Sequence, residues 1–364
     1  MQHDRDVIDA LCADLAELTA LHAPSGAEQP VIARMRDLFA PLVDTFEVDH
    51  MGNLTATREG AQGSPHIVVS AHADEIGAMV ASVEPGGFLR LLPVGGVQPR
   101  LLEGRAVWVG GRSGVIGARS GHLTPESQHG QDTSIADLYV DLGVDDATEV
   151  AALGVRIGDP VVILSELRKL AGTRVAGKGI DNRASCVVLL HLLRRLQGRA
   201  LPCRLTALVT VQEEVGLRGA IAAFARLKPD LAIVVDTFPA AGTPDTQGMA
   251  YTSRIGSGAL ITPSSSSGDF GFLIPKAARE AMIAAAQRAA VPYQLAVTAS
   301  GVTDAAAAHL AAGGIPTLEV KIPRRYSHSP VEMLDLRDLA ATLSLVEELV
   351  VHPPTRADLS FLGD

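Results

Sequence analysis

Alternating strand and helix patterns in the C-terminal half of this chain constrain its fold more than any other feature of the sequence. From about Thr173 onward, apolar runs of strand length, such as CRLTALVTV and DLAIVVD, are separated by helical patterns such as ASCVVLLHLLRRL and RDLAATLSLVEELV. Strand–helix–strand units of this kind form parallel sheets with helices on both faces. The sequence therefore predicts an α/β fold with a mainly parallel sheet flanked by helices.

The N-terminal segment adds helices, a hairpin and one more strand to this pattern. Apolar residues at helical spacing predict a helix over residues 5–21, and Ser25 with Glu28 fits a capping box for a second helix. TFEVDHMGNLTAT predicts a hairpin that turns at residues 51–53, and IVVSA predicts a short buried strand.

Short Val- and Leu-rich segments between residues 82 and 172 are interrupted by Gly and Pro, which is typical of a compact β barrel. We therefore expect a discontinuous α/β domain of residues 1–81 and 173–364, interrupted by an inserted β-barrel-like domain of residues 82–172. Within the insertion, the polar stretch HLTPESQHGQDTSIADLY predicts a mobile loop.

Composition and charge exclude several classes of function. The 364-residue chain has a net charge of −10 and 4% aromatic residues, without the Lys/Arg block that is typical of nucleic-acid binding. No apolar run reaches the roughly 18 residues needed to span a bilayer, and the N-terminus lacks the pattern of a secretory signal. We therefore expect a cytoplasmic protein that binds neither nucleic acid nor a membrane.

Acidic and histidine side chains follow the predicted strands at the edge where parallel strands end. They are His72 and Asp74 after IVVSA, Glu213 and Glu214 after LTALVTV, Asp236 at the end of LAIVVD, His328 after TLEVKI, and Asp181 in GKGIDNRAS at the start of a helix. Active sites of open α/β sheets lie beyond the carboxyl ends of the strands. Imidazole nitrogens and carboxylate oxygens together suit zinc, cobalt or manganese.

Each of these features alone also has an ordinary structural interpretation. A single HxD in a loop is usually a surface feature, and adjacent glutamates are more often a solvated pair. Asp181 fits a helix cap, Asp236 fits a strand-end turn, and His328 between two serines fits an exposed loop. Their coincidence at predicted strand ends favours a metal hydrolase, but the residues by themselves leave the function open.

Seven short motifs run through nearly the whole chain. They are PSGAE, SAHADEIG, GKGIDNR, VQEEVGLRGA, the VVD strand end, the TDA of GVTDA, and RRYSHSP. In this order they resemble the co-catalytic metallo-aminopeptidases of metallopeptidase family 42, the TET or glutamyl/leucyl aminopeptidase type. The resemblance implies a zinc-peptidase-like catalytic domain with an inserted β barrel, and a hydrolase that removes N-terminal residues from short peptides.

The resemblance also implies which residues hold the metal. Asp181 would bridge two divalent ions in each subunit, with zinc or cobalt expected before manganese. His72 and Asp236 would complete the site of one ion. Glu214 and His328 would complete the site of the other.

Two further side chains take roles by the same resemblance. Glu213 would stay off the metal, take a proton from the water that bridges the ions and deliver it to the leaving amine. Asp74 would accept the second ring N–H of His72 and so orient that ring.

Other functions fit the same residues. A related dinuclear amidase, deacylase or carboxypeptidase would act on small N-acylated substrates, and a non-catalytic assembly protein would use the metals for structure. An intact Glu213 argues against the second, because a structural site needs no base. A glycosidase fits less well, because its two acids flank a bond roughly 5–9.5 Å apart, and adjacent Glu213 and Glu214 need not do so.

The family resemblance implies a large homo-oligomer, a dodecamer built from dimers. In the sequence itself, only the polar loop around His122 and the Gly-rich surface of the insertion support this expectation.

Overall fold

The structure is a computed structural model of the chain, and it describes residues 2–118, 122, 132–249, 252–268, 270–298 and 301–362. The helices in these residues are α1 (Gln2–Ala20), α2 (Gln29–Phe39), α3 (Ala147–Ala152), α4 (Ile180–Leu196), α5 (Arg218–Leu227), α6 (Lys276–Arg288), α7 (Asp304–Leu310) and α8 (Leu336–Val351). In the described part of the chain, no helix has the length and apolar character needed to cross a membrane.

Among the described residues, twelve strands form one large sheet. They are β1 (Thr45–Val48), β2 (Leu54–Arg58), β3 (His66–His72), β10 (Arg168–Lys169), β11 (Arg174–Gly177), β12 (Arg204–Thr210), β13 (Leu231–Pro239), β14 (Ala259–Ser267), β15 (Phe270–Leu273), β16 (Tyr293–Thr298), β17 (Thr317–Arg325) and β18 (Glu332–Asp335). Six more strands form a closed barrel: β4 (Gly77–Val83), β5 (Leu89–Val94), β6 (Ala106–Val109), β7 (Arg112–Ile116), β8 (Tyr139–Asp141) and β9 (Pro160–Ile163).

The centre of the large sheet is parallel and its flanks are antiparallel. Strands β12, β3, β13 and β17 are neighbours and run parallel, whereas β2 and β18 pair antiparallel at either side of them. In the register of this centre, His72 pairs with Thr210, and Val234 pairs with Ser70. Asp236 therefore lies level with His72, which places two of the predicted ligands at the same height on adjacent strands.

Helix α4 is the central helix of the core, and nearly all of its residues are buried. It contacts β3 and β13 on one side and α1 and α8 on the other. Burying a Val or Leu side chain contributes about 1.5–3 kcal/mol, so the apolar run from Val187 to Leu193 fixes the helix firmly against the sheet. The N-terminal turn of α4 carries Asp181, so its position is set by this packing.

The barrel has its own apolar core, which includes Val80, Leu89, Val107 and Val140. The predicted α/β fold with an inserted small barrel is confirmed by this arrangement. The barrel strands run from Gly77 to Ile163. The division into residues 1–81 with 173–364 and residues 82–172 stays a proposal about independent units.

Two local predictions need correction. Ser25 and Glu28 do not form a capping box, because the Ser25 hydroxyl donates to Asp74 Oδ2 at 2.6 Å and Glu28 Oε1 accepts the N–H of Gln212 at 3.0 Å. Both side chains instead form hydrogen bonds with residues that are distant in sequence. Strand β13 also continues to Pro239, beyond the strand end predicted at residue 236.

Half of the predicted loop over residues 122–139, residues 123–131, lies outside the described residues. In the described half the prediction of a loop is wrong at its end, because Ile135–Asp137 form a short 3-10 helix and β8 begins at Tyr139. His122 is described and is exposed.

Candidate metal centre

Three elements and two loops bring the predicted ligands to one edge of the sheet. His72 is the last residue of β3, Asp236 lies in β13, and Asp181 lies in the first turn of α4. Glu213 and Glu214 lie in the loop between β12 and α5. His328 lies between β17 and β18.

His72 lies at the centre of one group of carboxylates. Its Nε2 is 3.3 Å from Asp181 Oδ1, 3.8 Å from Asp236 Oδ1 and 3.9 Å from Glu213 Oε2. The ring is 2% exposed, so water does not screen these contacts effectively.

His328 forms a second group on the other side of Asp181. Its Nε2 is 3.5 Å from Asp181 Oδ2 and 3.4 Å from Glu214 Oε2. The other ring nitrogen, Nδ1, is 3.2 Å from the carbonyl oxygen of Gly96, which follows barrel strand β5. Asp181 thus directs one carboxylate oxygen at each histidine.

The adjacent glutamates point in different directions, as neighbouring side chains leaving a strand do. Glu213 faces His72, whereas Glu214 faces His328. Gln212 just before them has a φ of +56°, a left-handed conformation that non-glycine residues rarely adopt. Backbone in this conformation is enriched at functional sites, and here it immediately precedes the two glutamates.

The donor set fits a divalent cation. Ligand atoms of His72, Asp181 and Glu214 lie within 4.8 Å of one another, and so do those of His72, Glu213 and Asp236. Asp181 Oδ1 is buried and accepts no hydrogen bond from any described residue. A buried carboxylate oxygen without a donor is costly unless a cation satisfies it.

Burial and mutual repulsion disturb the pKa values of these carboxyl groups. Burial, together with a smaller contribution from the charge of Asp181, raises the pKa of Asp236 to about 7 and that of Glu214 to about 8. Burial likewise raises the pKa of Glu213 well above its ordinary value, with Asp236 and Glu214 adding to the effect. A bound cation would favour the charged form of each group.

Asp74 contacts both His72 and the loop that carries the glutamates. Its carboxylate lies 3.4 Å from His72 Nδ1, although the carbonyl oxygen of Asp74 is closer, at 3.2 Å. Asp74 Oδ1 accepts the N–H of Glu213, and Oδ2 accepts the N–H of Glu214, each at 3.0 Å. Asp74 therefore holds the backbone of both glutamates and also lies against the ring of His72.

Two residues that contact the predicted ligands were missed in the sequence. Glu332 accepts the N–H of Asp181 at 3.0 Å and the N–H of His328 at 2.9 Å, so one buried carboxylate holds the backbone of two predicted ligands. Arg324 bonds to Asp181 Oδ2 and to Glu332. The available signal was a pair of charged residues flanking the RYSHSPV segment, since charges that enter a core need partners.

A buried ion cluster is formed by residues that are close in sequence to Asp74 and Asp181. Lys178 Nζ lies 3.0 Å from each oxygen of Glu75, and Arg183 Nη2 lies 3.5 Å from one of them. Arg183 is fully buried and also donates to the carbonyl oxygen of Ala73 at 2.6 Å. The cluster joins the loop after β3 to the start of α4.

The chain is similar in sequence to one known protein family and to a member of that family. The family model for M42 glutamyl aminopeptidase matches residues 52–345 of the chain. The glutamyl aminopeptidase of Lactococcus lactis subsp. cremoris is 32% identical over 342 residues, which cover 92% of this chain and 94% of the relative.

Two solved structures are similar over nearly their whole length. A TET aminopeptidase from a marine sediment archaeon, a thaumarchaeote, has a TM-score of 0.90 at 29% identity and covers 97% of this chain and 99% of its own. The TET1 peptidase of Pyrococcus horikoshii, which can assemble into a tetrahedron or a large octahedral shell, has a TM-score of 0.84 at 29% identity, with 94% and 99% covered.

Proposed function

The chain belongs to the M42 glutamyl aminopeptidase family and is an aminopeptidase, and from this premise we propose that it cleaves the N-terminal peptide bond of short peptides with two divalent ions. Peptidases of this family are metal-dependent. Zinc or cobalt is the first expectation and manganese a further candidate, because histidine and carboxylate ligands accept all three.

The position of Asp181 between two histidines is the observation that carries the proposal. Its two oxygens face different histidines, at 3.3 Å and 3.5 Å, as a bridging ligand requires. His72 and Asp236 would hold one ion, and Glu214 and His328 the other. Bound divalent ions polarise a substrate carbonyl and lower the pKa of water.

Glu213 is the proposed general base. It lies beside the ligands, and its carboxylate faces the same space as His72. It would take a proton from the attacking water and deliver it to the amine of the departing peptide. Asp74 would keep Glu213 in place through the backbone N–H that it accepts.

Replacement of the base tests this mechanism. Glu213→Gln should keep the fold and both ions, because glutamine has the same shape, yet turnover should fall by about 10²–10⁴ because no proton acceptor remains. Metal content by mass spectrometry and kcat on aminoacyl chromogenic substrates measure the two effects.

Glu214→Gln is the matched control, since the same change at the next residue should remove an ion from the protein. An unchanged kcat in Glu213→Gln would refute the assigned base.

A panel of free-amine and N-blocked peptides separates aminopeptidase from amidase or deacylase chemistry.

We also propose that the chain forms a homo-oligomer, a dodecamer built from dimers. The Pyrococcus relative assembles into closed shells. In this chain, strands β15 and β16 border the sheet beside β14 and expose Leu273 (68%), Val297 (64%), Leu295 (44%) and Phe270 (40%). An edge with this much apolar surface is suited to burial against a second copy.

A further inference from the structure

Arg324 is a buried cation beside the metal centre that the proposed mechanism does not use. It lies near the end of β17 and is 3% exposed. Its Nε donates to Thr237 Oγ1 at 2.6 Å, one Nη donates to Glu332 Oε1 at 2.8 Å, and the other Nη donates to Asp181 Oδ2. Partners on three different elements therefore hold the guanidinium, and two of them do not belong to the metal ligands.

The two oxygens of Asp181 consequently lie in unlike surroundings. Oδ1, on the His72 side, is buried and accepts no hydrogen bond from the described residues. Oδ2, on the His328 side, accepts a charge-assisted hydrogen bond from Arg324. A metal on the His328 side would have to share this oxygen with a fixed positive charge.

The His72 side also has a cation nearby, but its arrangement differs. Lys321 pairs with Asp236 in the sheet register, yet its ammonium lies 3.2 Å from Glu319. Among the hydrogen bonds of the described residues, none joins Lys321 to Asp236. The ligand oxygens on the His72 side are therefore not shared with a cation in the way that Asp181 Oδ2 is.

We propose that Arg324 makes the two metal positions unequal, so that the position of His72 and Asp236 fills first and the position of His328 and Glu214 holds its ion more weakly. This inference rests on the dinuclear centre proposed above. Like charges repel strongly at short range in a buried site, and the guanidinium bonds to the Asp181 oxygen that faces His328 at the second position. Arg324 would act as a positioning residue that governs the second ion.

Metal binding to the full-length protein, stripped with a chelator and dialysed, tests the proposal without reference to activity. Titration calorimetry with zinc and with cobalt should give two dissociation constants for the wild type, with the second ion at least about 10-fold weaker because of its repulsion by the guanidinium. In Arg324→Gln, which removes that repulsion, the second ion should bind about 10-fold more tightly. The first ion should change less.

Arg325→Gln is the matched control, because Arg325 is the next residue on the same strand and its Nη2 donates to the carbonyl of Gly242 at 3.2 Å. It should leave both dissociation constants unchanged. Thermal unfolding checks that each variant is folded. If Arg324→Gln does not fold, Arg324→Lys keeps the charge and should keep the two constants far apart.

Four results would overturn the inference. Unchanged constants in Arg324→Gln would show that the guanidinium does not affect the second ion. Weaker binding of the second ion in Arg324→Gln would show that Arg324 aids binding by geometry instead of opposing it by charge. Closely similar constants in Arg324→Lys would show that a positive charge at this position does not set the two ions apart. A wild type that binds only one ion per subunit, even at the highest metal concentration, would refute the dinuclear centre itself.

Discussion

Two adjacent carboxylates, Asp74 and Glu75, illustrate how single residues are fixed in this molecule. Asp74 accepts hydrogen bonds from the loop of Glu213 and from Ser25, so it organises the reactive edge. Glu75 pairs instead with Lys178 and Arg183 inside the core. Two neighbouring carboxylates after one strand thus contact different parts of the molecule, the loop of the glutamates and the buried cations.

Loss of the Glu75 charge should be strongly destabilising. Glu75→Gln leaves the buried Lys178 without its counter-charge, and breaking a buried ion pair from one side costs about 3–5 kcal/mol. Chemical denaturation at neutral pH measures the free energy of unfolding. Glu59→Gln is the control, because the pair of Glu59 with Arg204 at 3.4 Å is exposed and should contribute less than about 1 kcal/mol.

The pH dependence of this effect has a definite sign. Burial alone would raise the pKa of Glu75, but Lys178 and Arg183 outweigh burial and lower it. The stability contributed by the carboxylate is therefore complete above the ordinary glutamate pKa and is lost as pH falls toward the lowered value. The difference in the free energy of unfolding between wild type and Glu75→Gln should become smaller in acid. A difference that stays constant with pH would contradict the charged pairing of Glu75 with Lys178 and Arg183.

At the scale of elements, the barrel contributes to the metal centre through the loop after β5. The carbonyl oxygen of Gly96 lies 3.2 Å from His328 Nδ1 and so helps to orient the ring. A Cβ on Gly96 would lie 2.7 Å from that same nitrogen. The loop can approach the histidine this closely only because residue 96 has no side chain.

Gly96→Ala should therefore displace the ring of His328, although the variant replaces none of the predicted ligands. We expect the weakest-held ion to bind about 10–100-fold less tightly, as for other residues that orient a ligand, with a parallel loss of kcat. Metal titration and steady-state kinetics measure both. Gly86→Ala in the same insertion is the control, since its Cβ would lie 3.6 Å from Phe88, an ordinary contact; equal effects in the two variants would contradict the predicted contact.

At the scale of the whole molecule, the proposed assembly depends on apolar surface at one border of the sheet. Aspartate there should prevent burial, because an unpaired charge in an apolar interface is costly. Leu273→Asp with Val297→Asp should reduce the mass measured by light scattering at micromolar concentration.

Ile157→Asp is the control for the assembly, since Ile157 is 67% exposed in the insertion and lies outside the proposed interface. A large oligomer that persists in the double variant would place the interface elsewhere. A wild type of monomeric mass would refute the assembly.

The sequence by itself determined the elements and the chemical character of their ends. Apolar periodicity predicted the alternating strands and helices, since the faces that must be buried repeat with the period of each element. It also placed His72, Glu213 and Glu214 at strand ends, because those positions are local in the chain. A barrel between two parts of an α/β domain followed from the change in Gly and Pro content.

Only the tertiary structure decided which residues support the centre. Ser25 and Glu28 left their predicted capping box for partners in the core, and Glu332 reached Asp181 across 151 residues of sequence. Arg324 likewise meets Asp181 from 143 residues away. No periodic pattern encodes such contacts, because they arise where packed elements bring buried charges together and each charge must find a partner.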